Sequence, residues 1–188
     1  RDARYAFLRS LPGTIATAHT ADDNAETVLM HLLRGTGLKG LGGFPPSRGN
    51  LIRPMLSVTR EDVESFLSEY ALPHREDASN HTDLFLRNRL RHHVLPLLRE
   101  ENPKLAENLS AMALRLRQDE DTLSAIASEK RVSIAALRQE PAAIRVRVLE
   151  RLLKESGVRE PEAQHIRLAE AQGRGNIDAV KGIRKTQM

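Results

Sequence analysis

Apolar residues recur along this chain with two different periods, and the point where one gives way to the other divides it. Ala3, Phe7 and Leu8 follow helical spacing until Pro12-Gly13 stops them, and residues 14–18 then read as a short buried strand. The pattern predicts a helix over 22–34, a glycine-rich loop over 35–43, and a second strand or extended piece over 51–56 that ends at a proline turn. Thr59, with Asp62 three residues on, gives a capping-box start to a further helix carrying Val63, Phe66 and Leu67, and Leu72-Pro73 ends it. From Asp83 onward only helical periodicity remains, over 84–99 with an interruption at Pro96, then 104–130, 142–155 and 162–171. The expected architecture is therefore an α/β unit with a parallel sheet, followed by an all-helical second part, with Glu101-Asn102-Pro103 as the hinge.

Composition narrows the function classes. The 188 residues suffice for one large domain or a compact domain with a smaller partner. No apolar run approaches the roughly 20 residues that span a bilayer, so no membrane role is expected. The absence of cysteine removes disulfide scaffolds, thiolate metal sites and cysteine nucleophiles, and it fits a cytoplasmic location. A net charge of +4 tolerates an anionic partner without demanding one, and 3% aromatic content with no Trp argues against base-stacking platforms. Arg1 opens the chain without an initiator Met or a signal-peptide layout, which is read as a start in mid-domain.

The most informative stretch is residues 18–27, where a strand ends and a helix begins, the junction at which open α/β sheets bind ligands. At 100° per residue, Asp23, Glu26, Thr27, Met30 and Arg34 form one stripe, while Ala25, Val28, Leu29 and Leu32 form the opposite, packing one. Two carboxylates one turn apart, with His19 at the strand end, could hold Mg2+ or grip a substrate amine. Arg34, at the far end, could meet a phosphate. Capping accounts for part of the same pattern, since Thr20 is a good N-cap and acidic residues favour a first turn. Three carboxylates within five residues exceed what a cap uses, and their repulsion asks for a cation. If capping were their whole role for folding, neutralising Asp23 or Glu26 would cost about 1 kcal/mol.

Residues 35–40 match the spacing of a dinucleotide-binding fingerprint but follow a helix instead of a strand, so that reading is rejected. The glycines are expected to end the helix and give a mobile loop, with Lys39 able to approach an anion. On the later basic helix, Leu86, Leu90, Val94 and Leu97 make the expected packed stripe, with Arg87 and Arg91 together beside it. That pair could grip phosphate or carboxylate bidentately, whereas Arg89 and Arg99 are expected to be solvated. His92 and His93 are adjacent and splayed, hence no paired metal site.

Taken in order and spacing, His19-x-x-Asp22-Asp23-x-x-Glu26-Thr27, Arg34-Gly35-x-Gly37-x-x-Gly40-Leu41, Arg53-Pro54-Met55-Leu56, Asp77-x-Ser79-Asn80, and Arg87-Asn88-x-x-Arg91 before Leu95-Pro96 resemble the tRNA(Ile)-lysidine synthetase family. The resemblance covers residues 1–103 and is specific as a series, though each motif alone is weak. It implies a partial Rossmann-like ATP-pyrophosphatase domain at 1–102 and a helical tRNA-contacting domain at 103–188. The implied reaction adenylates the wobble cytidine of an isoleucine tRNA at its C2 oxygen, after which free lysine displaces AMP to give lysidine. The implied cofactors are ATP and Mg2+, with no metal-ligand set named. By the same resemblance Asp23 and Glu26 hold the lysine, His19 lines the nucleotide end, and Arg34, Arg87 and Arg91 face phosphate or the reacting cytidine, with Asn88 among the substrate contacts.

The family's Ser-Gly-Gly-x-Asp-Ser loop is not among these residues. It is expected upstream of Arg1, and the isolated chain is expected to be inactive. Gly173–Met188 matches no recognised pattern, and the sequence leaves a homodimer open. Three competing readings stand beside this one: a sister tRNA thiolase, disfavoured by the lack of cysteine; a non-catalytic RNA- or protein-binding helical module; and a carboxylate-metal hydrolase, for which too few ligands are found.

Overall fold

The structure is a computed structural model that describes residues 2–75, 82–130, 134–158, 161 and 166. Two compact units divide it, residues 1–118 and 119–188. The Asp77-x-Ser79-Asn80 motif, the expected helix at 162–171 save Ile166, and the tail from Gly173 lie outside the described residues.

In the first unit, helix α1 (Asp2–Ser10) leads to strand β1 (Ile15–Ala16), helix α2 (Ala21–Leu33), helical turn α3 (Leu38–Leu41), strands β2 (Ser47–Arg48) and β3 (Leu51–Ile52), and helix α4 (Arg60–Glu69). The strands form one sheet in the order β1-β3-β2. β1 and β3 are parallel, with Ile15 opposite Leu51, as the α/β pattern requires. β2 adds an antiparallel edge, pairing Ser47 with Ile52, so the sheet is mixed. The β2 strand escaped the sequence pattern because it is two residues long and exposed on both. Capping boxes open both α2 and α4, from Thr20 with Asp23 and from Thr59 with Asp62. At the second, the Thr59 hydroxyl and backbone hold the Asp62 carboxyl below its ordinary range.

The basic helix is broken as Pro96 implies. Helix α5 (Leu86–Arg89) passes through a π-helical turn (Leu90–Val94) into helix α6 (Leu95–Glu101), with Pro96 in the first turn of α6. The widened turn rotates α6 relative to α5, and this corrects the expected packing stripe. Leu90 and Leu95 are buried, whereas Val94 and Leu97 are exposed. Leu95 joins Ala21 and Ala25 of α2 and Ala106 of helix α7 (Leu105–Glu129) in the core of this unit. The small side chains let the helices approach closely. Leu32, expected on the packed stripe of α2, is exposed, as is Leu33, because the core reaches only the first two turns of that helix.

The glycine segment also departs from expectation. It forms α3 and is tied down at both ends, by His31 Nδ1 with Gly40 O at 2.7 Å and by Arg117 Nη2 donating to the Gly42 and Gly43 carbonyls. Gly43 has φ +57°, and a Cβ there would lie 2.2 Å from Asn24 Oδ1, so only glycine fits.

The second unit holds the rest of α7, helix α8 (Ile134–Leu137) and helix α9 (Ala142–Glu155). Ile144, Val148, Leu149 and Leu153 of α9 pack with Ala127, Leu137 and Ile166 at the helical spacing read from the sequence. Arg147 forks onto both oxygens of Glu120 in this unit, and both side chains are largely buried.

Candidate functional site

Helix α2 begins five residues beyond the end of β1, and its first two turns carry the three carboxylates, Asp22 and Asp23 in the first and Glu26 in the second. Asp23 is engaged twice. Its Oδ2 accepts from the Thr20 backbone N–H at 2.9 Å and from the Thr20 hydroxyl at 3.2 Å, completing the cap. Its Oδ1 accepts from Arg87 Nη2 at 2.8 Å and lies 3.5 Å from Arg91 Nη2. The cap and the arginine cluster share one carboxylate here.

Glu26, one turn on, is 1% exposed. Arg87 Nε donates to its Oε2 at 2.5 Å, Arg91 Nε to its Oε1 at 2.6 Å and Arg91 Nη2 to its Oε2 at 3.0 Å. The two arginines can meet one carboxylate because they lie four apart, astride α5 and the π-helical turn. The hydrogen bond to Glu26 raises the Arg91 pKa above the usual guanidinium range, against a burial effect that lowers it. Two carboxylates and two guanidiniums thus form one self-neutralising cluster. The cation that the acidic turn asks for is supplied by the chain itself.

Asp22 confirms the pattern and corrects one expectation. Its side chain is buried, accepts from the Arg60 backbone N–H at 2.5 Å, and pairs with Arg99. Arg99 is therefore a partner of the acidic turn and not merely a solvated charge. Arg89 stays at the surface, donating to the Asp83 and Leu84 carbonyls. His92 and His93, although splayed, reach the two oxygens of Asp83 at 3.1 and 2.7 Å, and these hydrogen bonds lower the Asp83 pKa.

A cavity of about 360 Å³ opens at this cluster, lined by Tyr5, Leu8, Thr17, Ala18, His19, Asp23 and Arg87. His19 Nδ1 lies 3.0 Å from Thr17 Oγ1, and its ring rests against Phe44. The structure thus gathers His19, Asp23, Glu26, Arg87 and Arg91, but the five are not equivalent. His19, Asp23 and Arg87 face the cavity, whereas Glu26 lies behind them. Asn88 is buried and donates to the Thr82 carbonyl at 2.6 Å. Arg34 is the exposed C-cap of α2, about 16 Å from Asp23 along a helix rising ~1.5 Å per residue. It lines neither this cavity nor the second one, of about 590 Å³, whose walls include Asn24, Phe44, Arg53, Leu114 and Arg117.

Among the described residues no group of three His, Cys, Asp or Glu side chains is placed to hold a metal ion. Asp22, Asp23 and Glu26 are each committed to arginine, so this donor set does not fit a resident Mg2+. No helix among the described residues is long and apolar enough to cross a membrane.

The chain is similar in sequence to known proteins. Residues 1–98 match the family model for the PP-loop domain, and residues 133–182 match that for the TilS substrate binding domain. The chain is 37% identical over 155 residues to the tRNA(Ile)-lysidine synthase of Geobacillus kaustophilus (strain HTA426), a match covering 78% of this chain and 33% of that protein. It is 37% identical over 171 residues to the tRNA(Ile)-lysidine synthase of Parabacteroides distasonis, covering 84% and 39%, and 40% identical over 139 residues to that of Bacillus thuringiensis subsp. konkukian, covering 69% and 29%. The chain therefore spans about a third of the length of these curated relatives.

Proposed function

We propose, because this chain belongs to the PP-loop family, that it forms the part of a tRNA(Ile)-lysidine synthetase in which lysine meets an ATP-activated cytidine. The observation that carries the reading is the cluster itself, with carboxylates and guanidiniums interleaved at the mouth of one cavity. A site for a cationic amine and an anionic phosphate needs both signs of charge within reach of each other, and here each sign is oriented by the other.

The reaction has two displacements. The C2 oxygen of the wobble cytidine attacks the α-phosphorus of ATP, and pyrophosphate leaves. An amine of free lysine, having lost a proton, then attacks C2, and the C2–O bond breaks to release AMP. Asp23 is the carboxylate at the cavity and holds the incoming ammonium. Arg87, also at the cavity, faces the phosphate that leaves with AMP. Glu26 and Arg91 form the layer behind, fixing the Arg87 fork so that little reorganisation is needed when charge develops. His19 lies at the nucleotide end. The TilS substrate binding domain match over 133–182 supports a tRNA substrate.

The test is ATP- and lysine-dependent transfer of labelled lysine to isoleucine tRNA by the polypeptide carrying this chain. Transfer that is lost in Asp23→Asn, with the fold retained, supports the reading. Transfer unchanged in that variant overturns it.

A further inference from the structure

The Arg-Pro-Met-Leu stretch has no role in the chemistry above, yet its arginine is buried. Arg53 is 9% exposed, and its Nε makes no hydrogen bond among the described residues. A buried guanidinium is costly unless its position serves something. Among the described residues its hydrogen bonds go to one short segment. The Nη1 group donates to the Pro45 carbonyl at 2.7 Å and the backbone N–H donates to the Pro46 carbonyl at 2.8 Å. The guanidinium carbon lies 5.1 Å from the centre of the Phe44 ring, within cation–π range.

Phe44 is in turn fixed from the side of α2. Its N–H donates to Asn24 Oδ1 at 2.8 Å, and Asn24 Nδ2 donates to Ser110 Oγ at 3.2 Å. The ring so placed lies 4.6 Å from the His19 ring at an interplanar angle of 55°. Phe44 lines the larger cavity and His19 the smaller, so the pair forms the partition between them. With one nitrogen against the Thr17 hydroxyl and its ring tilted against that of Phe44, the imidazole has its position set from two directions.

We infer that Arg53 and Phe44 are positioning residues for His19: Arg53 fixes the 44–46 segment, and Phe44 sets the orientation of the imidazole at the Asp23–Arg87 cavity. The functional part rests on the reading that His19 works at the nucleotide end. Misplacing such a group by about 1 Å costs up to about 100-fold in rate, so an aromatic buttress has a kinetic consequence beyond its packing.

The experiment follows the His19 ring resonances in histidine-labelled protein, with His19 identified among the seven histidines by its loss in His19→Asn. In Phe44→Leu the ring-current shift of His19 disappears, and Phe44→Tyr restores it. In Arg53→Lys, which keeps the charge but not the planar fork, the His19 signals shift and broaden although Phe44 is intact. In the active polypeptide these two disruptive variants raise the KM for ATP about tenfold while leaving the KM for lysine in place. If Phe44→Leu does not fold, Arg53→Lys and Phe44→Tyr carry the test. Unchanged His19 signals in folded Phe44→Leu or Arg53→Lys protein overturn the inference. An ATP KM unmoved by His19→Asn overturns instead the assignment of His19 to the nucleotide, and leaves the positioning result standing.

Discussion

Arg91 grips Glu26 side-on, Nε to Oε1 at 2.6 Å and Nη2 to Oε2 at 3.0 Å, with the carboxylate almost wholly removed from solvent. That geometry makes Glu26 a structural anion, and it separates Glu26 from Asp23, which shares its helix face.

The two carboxylates are therefore expected to differ in stability. Glu26→Gln leaves two partly buried guanidiniums without their shared anion and costs about 3 kcal/mol. Asp23→Asn, at a partly solvated capping position, costs about 1 kcal/mol. The cap-scale expectation from sequence is kept for Asp23 and replaced for Glu26, whose burial spacing alone does not reveal. Urea unfolding of the two variants decides it, and equal losses would contradict the structure.

Replacing Arg87 or Arg91 by lysine keeps the charge but removes the fork that spans two acceptors. Lysine transfer is expected to fall about 100-fold in Arg87→Lys, and Arg91→Lys acts in the same direction through the loosened Glu26. Arg89→Lys, which alters only surface bonds to the Asp83 and Leu84 carbonyls, should retain wild-type turnover. Steady-state kinetics of the three variants provides the comparison.

Gly43→Ala tests the anchoring of the 42–46 segment. The added methyl would meet Asn24 Oδ1 at 2.2 Å in a backbone conformation that favours glycine, so the loss should exceed about 1 kcal/mol. Gly37→Ala, where nothing lies within 4 Å and φ is −87°, is the control and should melt near the parent. Thermal unfolding of both separates close approach from general loop sensitivity.

The Asp83 carboxyl should titrate below the ordinary aspartate range because His93 and His92 donate to it. Its folded-state pKa is depressed, so its contribution is present above the ordinary aspartate pKa and is lost as the pH falls through the lowered value. Carboxyl carbon resonances followed through acid titration report this directly. His93→Ala should return the Asp83 titration towards its ordinary position.

Much of this was legible from the residues. The helix starts at Thr20 and Thr59, the parallel strand pair, the break at Pro96 and the apolar stripe of α9 follow from capping chemistry and periodicity. The gathering of His19, Asp23, Glu26, Arg87 and Arg91 follows from the motif series. Other features were hidden for physical reasons. A π-helical turn shifts a stripe without any hydrophobic signal, which is why Leu95 is buried where Val94 was expected. The pairing of Asp22 with Arg99, 77 positions apart, and the link from Asn24 to Phe44 are tertiary facts that local spacing does not encode. A stronger clue lay in Arg53, an arginine beside a strand in a largely apolar stretch.

Asp23 is proposed to take the lysine ammonium at a cavity where Arg87 takes phosphate. The most direct measurement is the transfer of labelled lysine to isoleucine tRNA by Asp23→Asn, in the polypeptide carrying this chain, alongside its urea unfolding curve. Transfer is expected to fall by about 100-fold or more with the unfolding midpoint only slightly lowered. Transfer at the parent rate by a folded Asp23→Asn protein would contradict it.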